Sequence, residues 1–146
     1  MTAKRRSQGK KYFTVAEANA ALPLVRAIVR DITALARDLQ EREERLTRVR
    51  LPERGSMGDA YREELQQVQA ELQRDQERMQ EYVRELRSLG VELKDFLTGL
   101  VDFPCWMDNR EVYLCWRLGE PEVGYWHELE AGFLGRQKLL AKASQP

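Results

Sequence analysis

The sequence predicts an α+β protein: a long antiparallel helical hairpin of coiled-coil type, followed by a small C-terminal antiparallel β-unit packed at its open end. Three observations carry this. Apolar residues recur by threes and fours from Val25 to Leu89, with one Pro/Gly-rich break in the middle. From Leu100 to Leu118 the pattern changes to alternation about a turn signal. Residues 100 to 136 also hold all three Trp, both Cys and the only His, so the chemistry is concentrated in the β-unit.

The first helix has a start signal. Thr14-Val15-Ala16-Glu17 matches a capping box, in which the Thr hydroxyl takes a first-turn N–H and the Glu reaches back to the cap. Pro23 lies about two turns later and removes a backbone donor, which predicts a kink or a restart near Leu22. From there Val25, Ile28, Ile32, Leu35, Leu39, Leu46 and Val49 form a heptad seam. Leu51-Pro52-Glu53-Arg54-Gly55-Ser56-Met57-Gly58 supplies turn chemistry, and the seam resumes with Tyr61, Leu65, Val68, Leu72, Met79, Tyr82, Leu86 and Leu89. Arg42 and Asp75 break the two seams; they could fix register or oligomer state, but an exposed flank of a loose seam is the favoured account. A two-helix core is narrow, so the hairpin needs the C-terminal segment or a second copy, and a homodimer is the economical expectation.

Gly90 fits the left-handed residue that follows a helix C-terminus. Beyond it, Leu100–Cys105 and Glu111–Leu118 flank Met107-Asp108-Asn109-Arg110, a hairpin turn signal. A turn centred on Asp108-Asn109 puts Phe103 opposite Leu114 and sorts the faces. Val101, Phe103, Cys105, Val112, Leu114, Trp116 and Leu118 share an apolar side, and Asp102, Pro104, Tyr113, Cys115 and Arg117 share a mixed one. The two cysteines then point to opposite sides, which argues against a disulfide. Tyr125 to Phe133 fits a third short strand running into a loop. The organisation is residues 1–11 as a disordered basic arm (Lys4, Arg5, Arg6, Lys10, Lys11), 12–89 as the hairpin, 90–137 as the β-unit and 138–146 as a tail.

Composition excludes several classes. Lys+Arg and Asp+Glu both number 24, so no global field recruits nucleic acid. No apolar run approaches the ~18 residues of a membrane span and no signal peptide is evident, which points to the cytoplasm. Two cysteines make no disulfide framework, and no CxxC zinc spacing is present.

His127, Glu128 and Cys115 are candidate metal ligands, because imidazole, carboxylate and thiolate together suit zinc or iron. His127-Glu128-Leu129-Glu130-Ala131 resembles the start of a zincin helix, but position 131 is Ala and the chain has no second His. Cys115, His127 and Asp102 could instead form a nucleophile, base and orienting group. The Trp, Tyr113, Tyr125 and Phe133 side chains suit either a core or the walls of a pocket.

Tyr12 to Val25 (YFTVAEANAALPLV), Gly90 to Pro104 (GVELKDFLTGLVDFP) and Arg110 to Gln137 (REVYLCWRLGEPEVGYWHELEAGFLGRQ) resemble the prokaryotic family called domain of unknown function 2203. The resemblance implies a bacterial cytoplasmic protein and no stated activity. The family pattern it implies includes Asp102, Tyr113, Cys115, Trp116, Arg117, Gly119, Trp126, His127 and Glu128, with Cys105-Trp106 a local variation.

The functional expectation is a binding or regulatory module with a ligand or metal site formed by Asp102, Tyr113, Cys115, Arg117, Trp126, His127 and Glu128. One alternative is a coiled-coil protein that engages a protein partner through the hairpin tip, Pro52 to Asp59, with Glu53 and Asp59 as tip acids. The other is an enzyme using Cys115 and His127.

Overall fold

A computed structural model describes residues 10–50 and 58–139. The basic stretch through Gly9, the turn from Leu51 to Met57 with Glu53, the side chain of Val49 and the tail from Leu140 lie outside the described residues. Two helices, α1 (Val15–Arg50) and α2 (Asp59–Ser88), precede a five-stranded antiparallel sheet. Its strands are β1 (Glu92–Asp95), β2 (Leu100–Met107), β3 (Arg110–Arg117), β4 (Tyr125–Glu128) and β5 (Gln137–Lys138), in that spatial order. No helix among the described residues is long and apolar enough to cross a membrane.

The capping box forms as the sequence predicts. The Glu17 amide donates to Thr14 Oγ1 and the Thr14 amide donates to Glu17 Oε1, both at 3.0 Å. The helix then runs through Pro23 without stopping or restarting. Pro23 is exposed, while Leu22 and Val25 beside it are locked in the core, so packing on both sides offsets the one missing hydrogen bond. At the end of α2, Gly90 takes φ 91°. Its amide donates to the Arg87 carbonyl and that of Val91 to the Leu86 carbonyl, which together form a Schellman motif.

The seams meet as antiparallel neighbours, with one correction to their polar breaks. Arg42 and Asp75 do not lie on a loose flank: they ion-pair with each other, and Arg42 also holds Asp38 at 2.7 Å. Two charges left in apolar seams without partners would each oppose packing, and placing them opposite one another removes that cost and sets register.

The central hairpin has the predicted register, Phe103 opposite Leu114 and Asp102 opposite Cys115. Asp108 and Asn109 both adopt positive φ, 51° and 65°, the two-residue turn whose twist matches paired strands. Val101, Phe103, Cys105, Val112, Leu114 and Trp116 all enter one core with Val25, Val29, Ile32 and Leu86 of the helices. Both cysteines are free.

Three features were not expected. β1 is a short charged strand, ELKD, held by pairing with β2 rather than by an apolar pattern. β5 places Lys138 opposite Tyr125. The mixed face of the sheet is also covered: Asp102, Pro104 and Cys115 are buried on it, and Leu129, Glu130, Gly132 and Phe133 close over Asp102 and His127. At the other end of the chain, Lys10 ion-pairs with Glu111.

Candidate metal and ligand site

Strand pairing gathers the site. Asp102 on β2 faces Cys115 on β3, and Tyr113 on β3 faces His127 on β4. Alternation puts all four side chains on the covered face. Asp102 and His127 therefore lean towards each other across β3, and His127 Nε2 lies 3.1 and 3.0 Å from the two Asp102 carboxylate oxygens. Asp102 is 3% exposed, His127 2% and Cys115 0%. One donor atom from each lies within 4.8 Å of the others.

Protons in this cluster can be assigned from its partners. His127 Nδ1 lies 2.7 Å from the Glu128 carbonyl oxygen, which can only accept, so Nδ1 carries a proton and donates it. A second proton must then sit between Nε2 and the carboxylate. Whichever atom it rests on, the Asp102–His127 pair is neutral overall. Burial holds the Asp102 carboxyl above its usual range, and the opposing pull of His127 and Lys94 is smaller.

Burial also pushes the Cys115 thiol up to about 12, with the Asp102 charge acting in the same direction. The thiol hydrogen-bonds to Asp102. This is the opposite of the depressed thiol pKa that marks an activated nucleophile. Cys105, on the core side, is likewise raised to about 11 by burial.

A pocket of about 220 Å³ opens over the pair, with Asp102 and His127 in its floor and Lys94, Tyr113, Glu130 and Phe133 among its walls. Tyr113 donates to Glu92 at 3.0 Å, and Lys94 pairs with the same carboxylate at 3.0 Å while standing over the Tyr113 ring. The cover is pinned by Arg136. Its guanidinium lies 3.9 Å from the Tyr125 ring centroid and 4.6 Å from that of Phe133, and both Glu120 oxygens accept from it at 2.8 Å. Such a stacked and paired guanidinium holds the loop against the sheet.

Of the residues expected in the site, Asp102, Tyr113, Cys115 and His127 converge. Arg117 is exposed at the margin, over the Phe133 ring. Trp126 and Glu128 lie on the other face: Trp126 packs on the core, and Glu128 pairs with Arg110 at 2.7 Å. The carboxylate that accompanies Cys115 and His127 is Asp102, because Glu128, as the strand neighbour of His127, must point the opposite way. Lys94, Glu92 and Arg136 were missed. Two sit on the unexpected β1, and Arg136 acts through ring stacking that has no sequence period.

The three donors suit a metal chemically. Nδ1 held by a backbone carbonyl is the usual second-sphere support of a histidine that ligates through Nε2. Ligand atoms around tetrahedral zinc stand about 3.3–3.8 Å apart, so closing on an ion requires shifts of no more than about 1.5 Å.

No curated protein and no solved structure matches the chain. A family model does, that of the uncharacterized conserved protein DUF2203, over residues 11–139, a span that includes every residue of this site. The resemblance of the two terminal blocks is thus matched across almost the whole sequence, and the chain belongs to the DUF2203 family.

Proposed function

We propose that the chain is a binding module that takes up one divalent transition-metal ion, zinc or iron, through Asp102, Cys115 and His127. The observation that carries this is the convergence of three buried donors of different chemistry around one point, with the histidine tautomer already set for ligation. Charge supports it. Without metal, the site is neutral with a thiol proton and a proton shared by Asp102 and His127. A divalent ion with thiolate, carboxylate and neutral imidazole is neutral as well, so the ion replaces those protons without leaving net charge in a buried site.

Three protein ligands leave a coordination position open, and the pocket over Asp102 and His127 is where an outside group would reach it. The module therefore binds metal and presents it to a small ligand beneath the Arg136-pinned loop. The test is metal analysis of protein purified without an affinity tag, followed by titration of stripped protein with zinc or ferrous iron. One ion per chain, lost in Cys115→Ala and His127→Ala but kept in Glu128→Gln, is expected. No bound metal and no uptake on addition would contradict the proposal.

A further inference from the structure

The helices run beyond the sheet as an arm, and the arm's seam is only half covered. Leu46, Leu65 and Val68 are half-buried and floor a groove of about 340 Å³. Its walls differ in sign: α1 contributes Arg45, beside an Arg42 whose charge Asp38 and Asp75 already offset, and α2 contributes Glu64 and Glu71. We propose that this groove is the interface of a homodimer. The arms of two copies pack face to face about a two-fold axis that runs along the hairpin, with α1 of each over α2 of the other.

Position permits it. The sheet end touches α1 along Asn19, Arg26, Thr33 and Arg37, through Val123, Pro121, Gly99 and Leu97 respectively. At about 100° per residue, Arg45 falls on the other side of the α2-facing seam from that track. The groove thus opens away from the sheet, and two copies can meet without their sheets colliding. Ala34 continues the same outward side of α1 where α2 runs alongside it, and it is exposed and small, which allows close helix approach.

Charge selects the arrangement. An isologous interface must be complementary to itself. A two-fold axis parallel to the helices sets the Arg wall of one copy over the Glu wall of the other. An axis across the helices sets Arg over Arg and Glu over Glu. Only the first buries the half-covered leucines and valine between matched charges.

The test uses sedimentation velocity on the full chain, with circular dichroism to confirm that each variant is helical. The wild type is expected to be a dimer. Arg45→Glu alone, and Glu64→Arg with Glu71→Arg, should each weaken it about a hundredfold. An equimolar mixture of the two variants should form a heterodimer, because reversed walls then face each other. A monomeric wild type, a dimer indifferent to Arg45→Glu, or a mixture that stays monomeric would each overturn the proposal.

Discussion

His127 and Asp102 stand on strands separated by a third, yet Nε2 lies 3.0 Å from the carboxylate while Nδ1 is held by the Glu128 carbonyl. Each ring nitrogen therefore has a partner inside the fold, and removing either partner strands a buried polar atom. In metal-free protein, Asp102→Ala should cost about 1–3 kcal/mol of stability by urea unfolding. Asp102→Asn, which keeps a neutral hydrogen bond to Nε2, should cost less. Equal losses, or a silent Asp102→Ala, would show that the pair does not matter to the fold.

The two thiols predict alkaline sensitivity. Unfolded cysteine ionises near 9.0, whereas burial delays ionisation to about 11 for Cys105 and about 12 for Cys115. A raised folded pKa means stability that is intact below the unfolded value and is lost as pH rises. Unfolding free energy should thus fall from pH 9 upward, and Cys105→Ala with Cys115→Ala should flatten that slope. The same burial should make both thiols slow to alkylate in the native metal-free protein. A flat profile, or rapid modification of either thiol, would contradict this account.

Much of the sheet was legible because alternation and a two-residue turn leave little freedom. With Asp108-Asn109 at the turn, Phe103 must face Leu114, and Asp102 and Cys115 must share a side. Glu128 shows the limit of reading by proximity in sequence, since in a strand the nearest neighbour of His127 is the residue that cannot join it. β1 and β5 were not legible because their order comes from pairing to a formed sheet, and a tetrapeptide such as ELKD carries no face pattern of its own. The Arg42–Asp75 contact required knowing how two generic seams align, which depends on where the turn between them falls.

That ion pair makes a separate prediction. Both side chains are under a fifth exposed, so loss of one partner leaves a poorly solvated charge in an apolar seam. Asp75→Leu or Arg42→Leu alone should destabilise by about 1–3 kcal/mol, while the double replacement should be near neutral or stabilising. A double variant as weak as the sum of the singles would indicate that the pair contributes no register or packing role.

Gly99 closes the turn from β1 into β2 with φ 75°, and an added Cβ would come within 2.8 Å of both the Leu118 Cβ and a Val29 methyl. The carbonyl of Gly99 also accepts from the Leu118 amide. Backbone strain and the clash with α1 add, so Gly99→Ala should cost at least about 2 kcal/mol, seen as a lower denaturation midpoint. Gly119→Ala, with left-handed φ but open space around it, should cost about 1 kcal/mol.

The metal proposal is tested most directly by calorimetric titration of zinc into tag-free, metal-stripped protein near neutral pH, in two buffers of different ionisation enthalpy. The account predicts one ion per chain and release of about two protons, one from the Cys115 thiol and one from the Asp102–His127 pair. The first should vanish in Cys115→Ala, and binding should weaken in both Cys115→Ala and His127→Ala. Absence of binding, or binding without proton release that survives both substitutions, would contradict it.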